Sequence, residues 1–172
     1  MNKPNIVLVG FMGTGKTSVG QLLAEKTGMP LMDMDALIVE RAGKSINEIF
    51  ADEGQPYFRS LERELVKELS AQQGLIISTG GGIVLNPDNI TDYEKTGLVV
   101  CLLASAETVL ERVRHDTTRP LLAGDKEASI IQLLETRKPL YEAIAHKIDT
   151  NGRPSPETTA EEIIALYESN KP

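Results

Sequence analysis

Residues 6–17 read Ile6-Val7-Leu8-Val9-Gly10-Phe11-Met12-Gly13-Thr14-Gly15-Lys16-Thr17, an apolar block that runs directly into a glycine-rich turn. The last eight residues fit G-x-x-x-x-G-K-[ST], in the place that pattern requires: after a strand-like run and before a helix expected from 16 to about 26. The glycines let successive backbone N–H groups turn inward around phosphate oxygens, and the helix that begins there points the positive end of its dipole at the same anion. Gly13, Thr14 and Gly15 are therefore candidate phosphate contacts, with Ser18 beside them at the start of the helix. Lys16 is expected to reach the β and γ oxygens of a nucleotide. Thr17 offers its hydroxyl to Mg2+ as a ligand, not as a nucleophile.

Short apolar blocks recur at 30–34, 75–78, 98–103 and 147–148, separated by helix-patterned stretches, and that alternation predicts a parallel sheet covered by helices. Ser45 with Glu48 three residues on matches a capping box and opens a short helix through Phe50. An amphipathic pattern follows from 58 to 73, so these helices form an insertion after the second strand. Ser105 is placed to cap a helix through Arg114, another runs from about Ser129 towards Ala145, and Thr158 or Thr159 starts the last. Residues 116–126 read as a loop that carries Arg119 and Pro120.

The bulk properties narrow the function. The chain has 172 residues, of which 41% are hydrophobic and 25% charged, enough for one domain with a core of its own and no disulfide framework. A formal net charge of -7 argues against a broad nucleic-acid-binding face. The single cysteine, Cys101, lies in an apolar run and reads as a buried structural thiol. The first nine residues are too quickly interrupted to read as a signal peptide, and no run approaches the ~18 apolar residues of a membrane span. A cytoplasmic protein with no membrane partner is expected, and the lack of a long apolar patch favours a monomer.

Other residues sort the class of nucleotide-binding protein. Neither the 75–78 block nor the 98–103 block ends in the acidic residue a motor ATPase or small GTPase places there. Instead the second strand reads Leu31-Met32-Asp33-Met34-Asp35, and strand alternation puts both carboxylates on one face. Asp33 is then a candidate for holding Mg2+ through water, and Asp35 for accepting or orienting a substrate hydroxyl; the plainer reading is a solvated acidic pair. Tyr57, Phe58, Arg59 and Glu62 follow, with Arg59 and Glu62 spaced to pair on one helix. An aromatic beside a fixed guanidinium suits a small ligand with an apolar ring and a carboxylate, whereas a plain surface ion pair would bind nothing. Gly80, Gly81 and Gly82 come directly after the third strand, at the end where open α/β sheets take ligands.

These pieces in order resemble the shikimate kinase family, of the nucleoside monophosphate kinase type of P-loop NTPase. The matching stretches are GFMGTGKTSVG at 10–20, DMD at 33–35, Phe58-Arg59 with Glu62, GGG at 80–82, RPLL at 119–122 and RKPLY at 137–141. The resemblance implies an α/β fold with a five-stranded parallel sheet flanked by helices. It implies one kinase domain over residues 1–172: a core of 1–34 and 75–110, an acceptor-binding insertion of about 35–62, and a lid of about 113–126. It further implies MgATP as phosphoryl donor and the 3-hydroxyl of shikimate as acceptor, in aromatic amino acid biosynthesis. Arg59 and Arg137 would meet the shikimate carboxylate, Asp35 would take ring hydroxyls and act as base, and Gly80, Gly81 and Gly82 would contact the same ligand. Phe50 and Phe58 would wall the pocket, and Arg119 would close over the nucleotide and stabilise transferring charge. Around adenine the match is looser, with Arg112 and Arg153 as counterparts. Within enzymes the rival reading is a related small-molecule kinase such as one acting on gluconate; outside them it is an inactive nucleotide-binding regulator.

Overall fold

The computed structural model describes residues 2–114, 126–153 and 155–170. Arg119 and most of the expected lid lie outside them.

Ile6, Val7, Leu8 and Val9 are β-favouring and flanked by no charge, and they form the middle of β1 (Asn5–Gly10), which has no solvent exposure along its length. β1 is followed by the glycine turn and α1 (Lys16–Thr27). The chain continues through β2 (Leu31–Asp33), α2 (Met34–Ala42), α3 (Ile46–Glu53), α4 (Gln55–Ser70) and β3 (Ile76–Ser78). A short 3-10 turn (Ile83–Leu85) and α5 (Pro87–Glu94) lead to β4 (Gly97–Leu103), and α6 (Ala106–Val113), α7 (Lys126–Glu142), β5 (His146–Asp149) and α8 (Glu157–Ser169) complete the described fold.

All five strands are parallel in the order β2-β3-β1-β4-β5. β1 sits at the centre, with Ile6 opposite Ile76 of β3 and Val9 opposite Cys101 of β4. Strand alternation divides the core. Ile6, Leu8, Ile76, Val100 and Leu102 face α1 and α8 on one side. Val7, Val9, Ile77, Val99 and Cys101 face the helices from α2 to α7 on the other. Removing each such side chain from water is worth about 1.5–3 kcal/mol as an upper figure, so the sheet is held by both layers together. Burial pushes the Cys101 thiol up to about 12, in keeping with a structural residue.

Two expectations change. Residues 34 and 35 are helical, not extended: Asp33 ends β2, and its side chain accepts the Ala36 N–H at 3.1 Å as the N-cap of α2. Strand alternation therefore does not place Asp33 and Asp35. A cap at the last strand residue turns the backbone at once into a helix, which ends at Gly43 in the left-handed conformation. α5 is the second element the pattern did not announce, although Asn86 caps it through the Asp88 N–H at 3.0 Å and Pro87 occupies its first turn.

Candidate active site

β1 and β3 end side by side, so the turn after β1 and the three glycines after β3 open onto one crevice beyond the carboxyl ends of the sheet. Thr79 fastens them at the base, donating its hydroxyl and its N–H to the Leu8 carbonyl at 2.9 and 3.1 Å. The crevice measures about 780 Å³ and is lined by Gly13, Gly15, Lys16, Thr17 and Ser18 at one end and by Asp35, Arg59, Glu62, Gly80, Gly81, Gly82 and Arg137 at the other. Asp33, Phe50, Phe58 and Arg112 also line it. A second cavity, of about 540 Å³, opens at the amino ends of β4 and β5 around Gly97 and His146, away from these groups.

At the phosphate end, Gly15 caps α1 in the left-handed conformation, φ 99°, which a side chain would resist. Thr14 is buried, and its hydroxyl donates to the Phe11 carbonyl at 2.7 Å. Lys16 Nζ reaches back over the loop to the Gly10 and Phe11 carbonyls at 2.6 and 2.9 Å, which holds the ammonium above the cradle. Arg112, from α6, donates to the Gly13 carbonyl at 2.9 Å and to the Thr150 carbonyl at 3.1 Å, and so ties the loop to the end of β5. Arg153 turns elsewhere: it pairs with Glu162 at 3.0 Å and donates to Thr159, both on α8, and it does not line the crevice.

At the other end α4 supplies Arg59 and, one turn on, Glu62, paired at 2.5 Å as their spacing predicts. Sequence alone did not reveal that Glu62 is only 1% exposed. Burial pushes its carboxyl above the ordinary range, the Arg59 guanidinium pulls it back, and the Asp35 carboxylate adds to the upward push. Asp35 and Glu62 converge on Gly80, where an added Cβ would stand 3.0 Å from Asp35 Oδ1 and 3.1 Å from Glu62 Oε2. A Cβ on Gly82 would fall on the Arg59 guanidinium, which explains why that turn is built of glycine. Arg59 also lies over the Phe58 ring at 5.4 Å, and Phe58 packs on Phe50 at 5.1 Å.

Arg137 comes in from α7 and is 3% exposed. Burial pushes its guanidinium down from the ordinary range, and Tyr141 and Glu62 draw it back; arginine stays protonated in such a setting. Arg59 Nε, Arg137 Nε and Glu62 Oε2 are buried with no hydrogen-bond partner among the described residues. Three orphaned polar atoms around one crevice are the mark of groups aimed at a ligand. Two guanidinium groups there can neutralise a carboxylate, with the carboxylates of Asp35 and Glu62 beside them to accept hydroxyl protons.

The fit for a divalent cation is of the Mg2+ kind. No cluster of three or more His, Cys, Asp or Glu side chains suited to a metal occurs among the described residues. Mg2+ needs none, since it is usually held by substrate phosphates, water and one or two protein oxygens. Thr17 and Asp33 line the crevice beside the phosphate loop and are the residues that would supply those oxygens. The cap on α2 engages one oxygen of Asp33, and a carboxylate has further acceptor positions.

A phosphate loop and a pocket bearing two guanidinium groups, facing each other across one crevice, define a small-molecule kinase of the phosphate-loop class. Residues 12–168 match the sequence model of shikimate kinase, and the chain belongs to the shikimate kinase family. The shikimate kinase of Thermodesulfovibrio yellowstonii is 46% identical over 165 residues, 95% of either chain. The solved structure of shikimate kinase from Acinetobacter baumannii in complex with shikimate has a TM-score of 0.92 at 38% identity, covering 98% of this chain and 95% of that one. A gluconokinase from Sinorhizobium meliloti reaches a TM-score of 0.62 at 21% identity, over 96% of this chain and 92% of its own, a likeness of fold alone.

Proposed function

We propose that this chain transfers the γ-phosphoryl group of ATP, with Mg2+, to the 3-hydroxyl of shikimate, giving shikimate 3-phosphate and ADP in aromatic biosynthesis. The observation that carries this is the single crevice in which the loop of Lys16 faces Arg59, Arg137 and Asp35.

Each role follows from chemistry. The backbone N–H groups of 13–18 bind the nucleotide phosphates, and Lys16 moves from the loop carbonyls onto the β and γ oxygens, where its charge offsets that of the transferring group. Thr17 and, through water, Asp33 would hold Mg2+, which supplies charge neutralisation between the phosphates. Arg59, fixed by Glu62, and Arg137 bind the shikimate carboxylate and so fix the ring. Asp35 accepts the proton of the attacking hydroxyl, and the turn of Gly80, Gly81 and Gly82 lets the ring approach the backbone closely. Phe50 and Phe58 wall the apolar side. Arg112 borders the adenine side of the loop, and Arg119, which lies outside the described residues, would stabilise the charge of the transferring group. Little covalent work falls to the protein; positioning and electrostatics carry the reaction.

Steady-state ADP release measured with ATP alone, with shikimate and with gluconate tests the reading. Strong dependence on shikimate is expected. Dependence on gluconate would transfer the chain to another acceptor, and nucleotide binding with no turnover would make it a regulator.

A further inference from the structure

Tyr141 is 1% exposed and stands between Gly81, which lines the crevice, and Phe11 of the phosphate loop. Its hydroxyl donates to the Gly81 carbonyl at 2.5 Å. Arg137, one helical turn earlier on α7, lies against the same glycine. The Tyr141 ring meets Phe11 of the phosphate loop edge to face, with centroids 6.4 Å apart and planes at 74°.

We propose that Tyr141 is a positioning residue for the acceptor: its hydroxyl fixes the Gly81 backbone against Arg137 while its ring rests on the phosphate loop, so that the carboxylate-binding arginine and the donor cradle share one register. The inference rests on the acceptor pocket proposed above. Arg137 has long, rotatable arms, and its Nε has no hydrogen-bond partner among the described residues. A contact that orients the guanidinium therefore decides where a bound carboxylate sits. The glycine turn needs the same anchor, since Gly81 lies against Arg137, with an added Cβ only 3.5 Å from its Nη1. A misplaced carboxylate would carry the reacting hydroxyl out of line with the phosphoryl group.

Tyr141→Phe removes one oxygen and keeps the ring against Phe11. The expected result is a KM for shikimate raised about tenfold, equivalent to about 1.4 kcal/mol, with the KM for ATP within about twofold of wild type. A double-mutant cycle with Arg137→Lys adds a reading that general packing would not move. If the hydroxyl acts through Arg137, Tyr141→Phe changes the shikimate KM by less than about twofold in the Arg137→Lys background. Multiplicative effects in the cycle, two KM values that rise together, an unchanged shikimate KM, or a variant that no longer folds each overturn the proposal. Wild-type protein that does not turn over shikimate sinks the functional reading and this inference with it. Active wild type with any of those variant outcomes sinks the inference alone.

Discussion

Glu62 places a carboxylate in surroundings nearly closed to water, with Arg59 on one oxygen and Asp35 nearby. Its folded value lies above the ordinary 4.5, so the folded chain holds this proton more tightly than the unfolded chain does. The stability contributed by that difference is fully present below about pH 4.5 and is lost as pH rises through the folded value. Glu62→Gln removes the titration while keeping the shape. Thermal melts of both proteins from about pH 4 to 7 should show wild type losing stability relative to the variant as pH rises; a difference that stays flat would contradict it. The burial behind this behaviour was not legible. The i, i+3 spacing announced the ion pair with Arg59, but the carboxylate lies against Gly80, which is brought in from a distant part of the chain. Tyr141 is a similar case: the sequence shows a tyrosine after Pro139, while its partner Gly81 lies 60 positions away.

Among the elements, α3 is the one whose start is written most fully in the sequence. Ser45 accepts the Glu48 N–H at 3.1 Å and Glu48 returns the bond to the Ser45 N–H at 3.3 Å. Ser45→Ala should lower stability by about 1 kcal/mol in urea denaturation with an unchanged slope. An unchanged midpoint would show the capping box to be idle. β1, its loop and α1 were equally readable, because apolar run, glycines and Lys16 all lie within a few residues of one another. α2 was not. Residues 31–35 carry two acids two apart, a spacing that fits a strand end, and the cap that Asp33 provides outweighs that pattern only once the Ala36 N–H is in place. The sequence did hold a clue, an Asp followed by Ala36, Leu37 and Glu40 with Gly43 as a stop. For α5, Asn86 and Pro87 were a start signal passed over in a short polar stretch.

At the scale of the whole molecule, the parallel sheet with helices on both faces was readable from the alternation of blocks, while the strand order was not. Nothing in a strand's own composition says that β1 pairs with β3 and β4 and not with β2. The order matters for how the chain is made. Gly10 ends β1, yet its sheet neighbour Leu102 arrives more than 90 residues later. Ribosome-stalled chains ending before Gly97 should therefore fail to bind an immobilised ATP analogue, and chains that have released β4 from the exit channel should begin to bind it. Retention by the shorter chains would show that the first strand and its turn can form unaided. The nucleotide cradle is translated long before the strand that flanks it, so on this expectation a polypeptide abandoned halfway through synthesis would sequester no ATP.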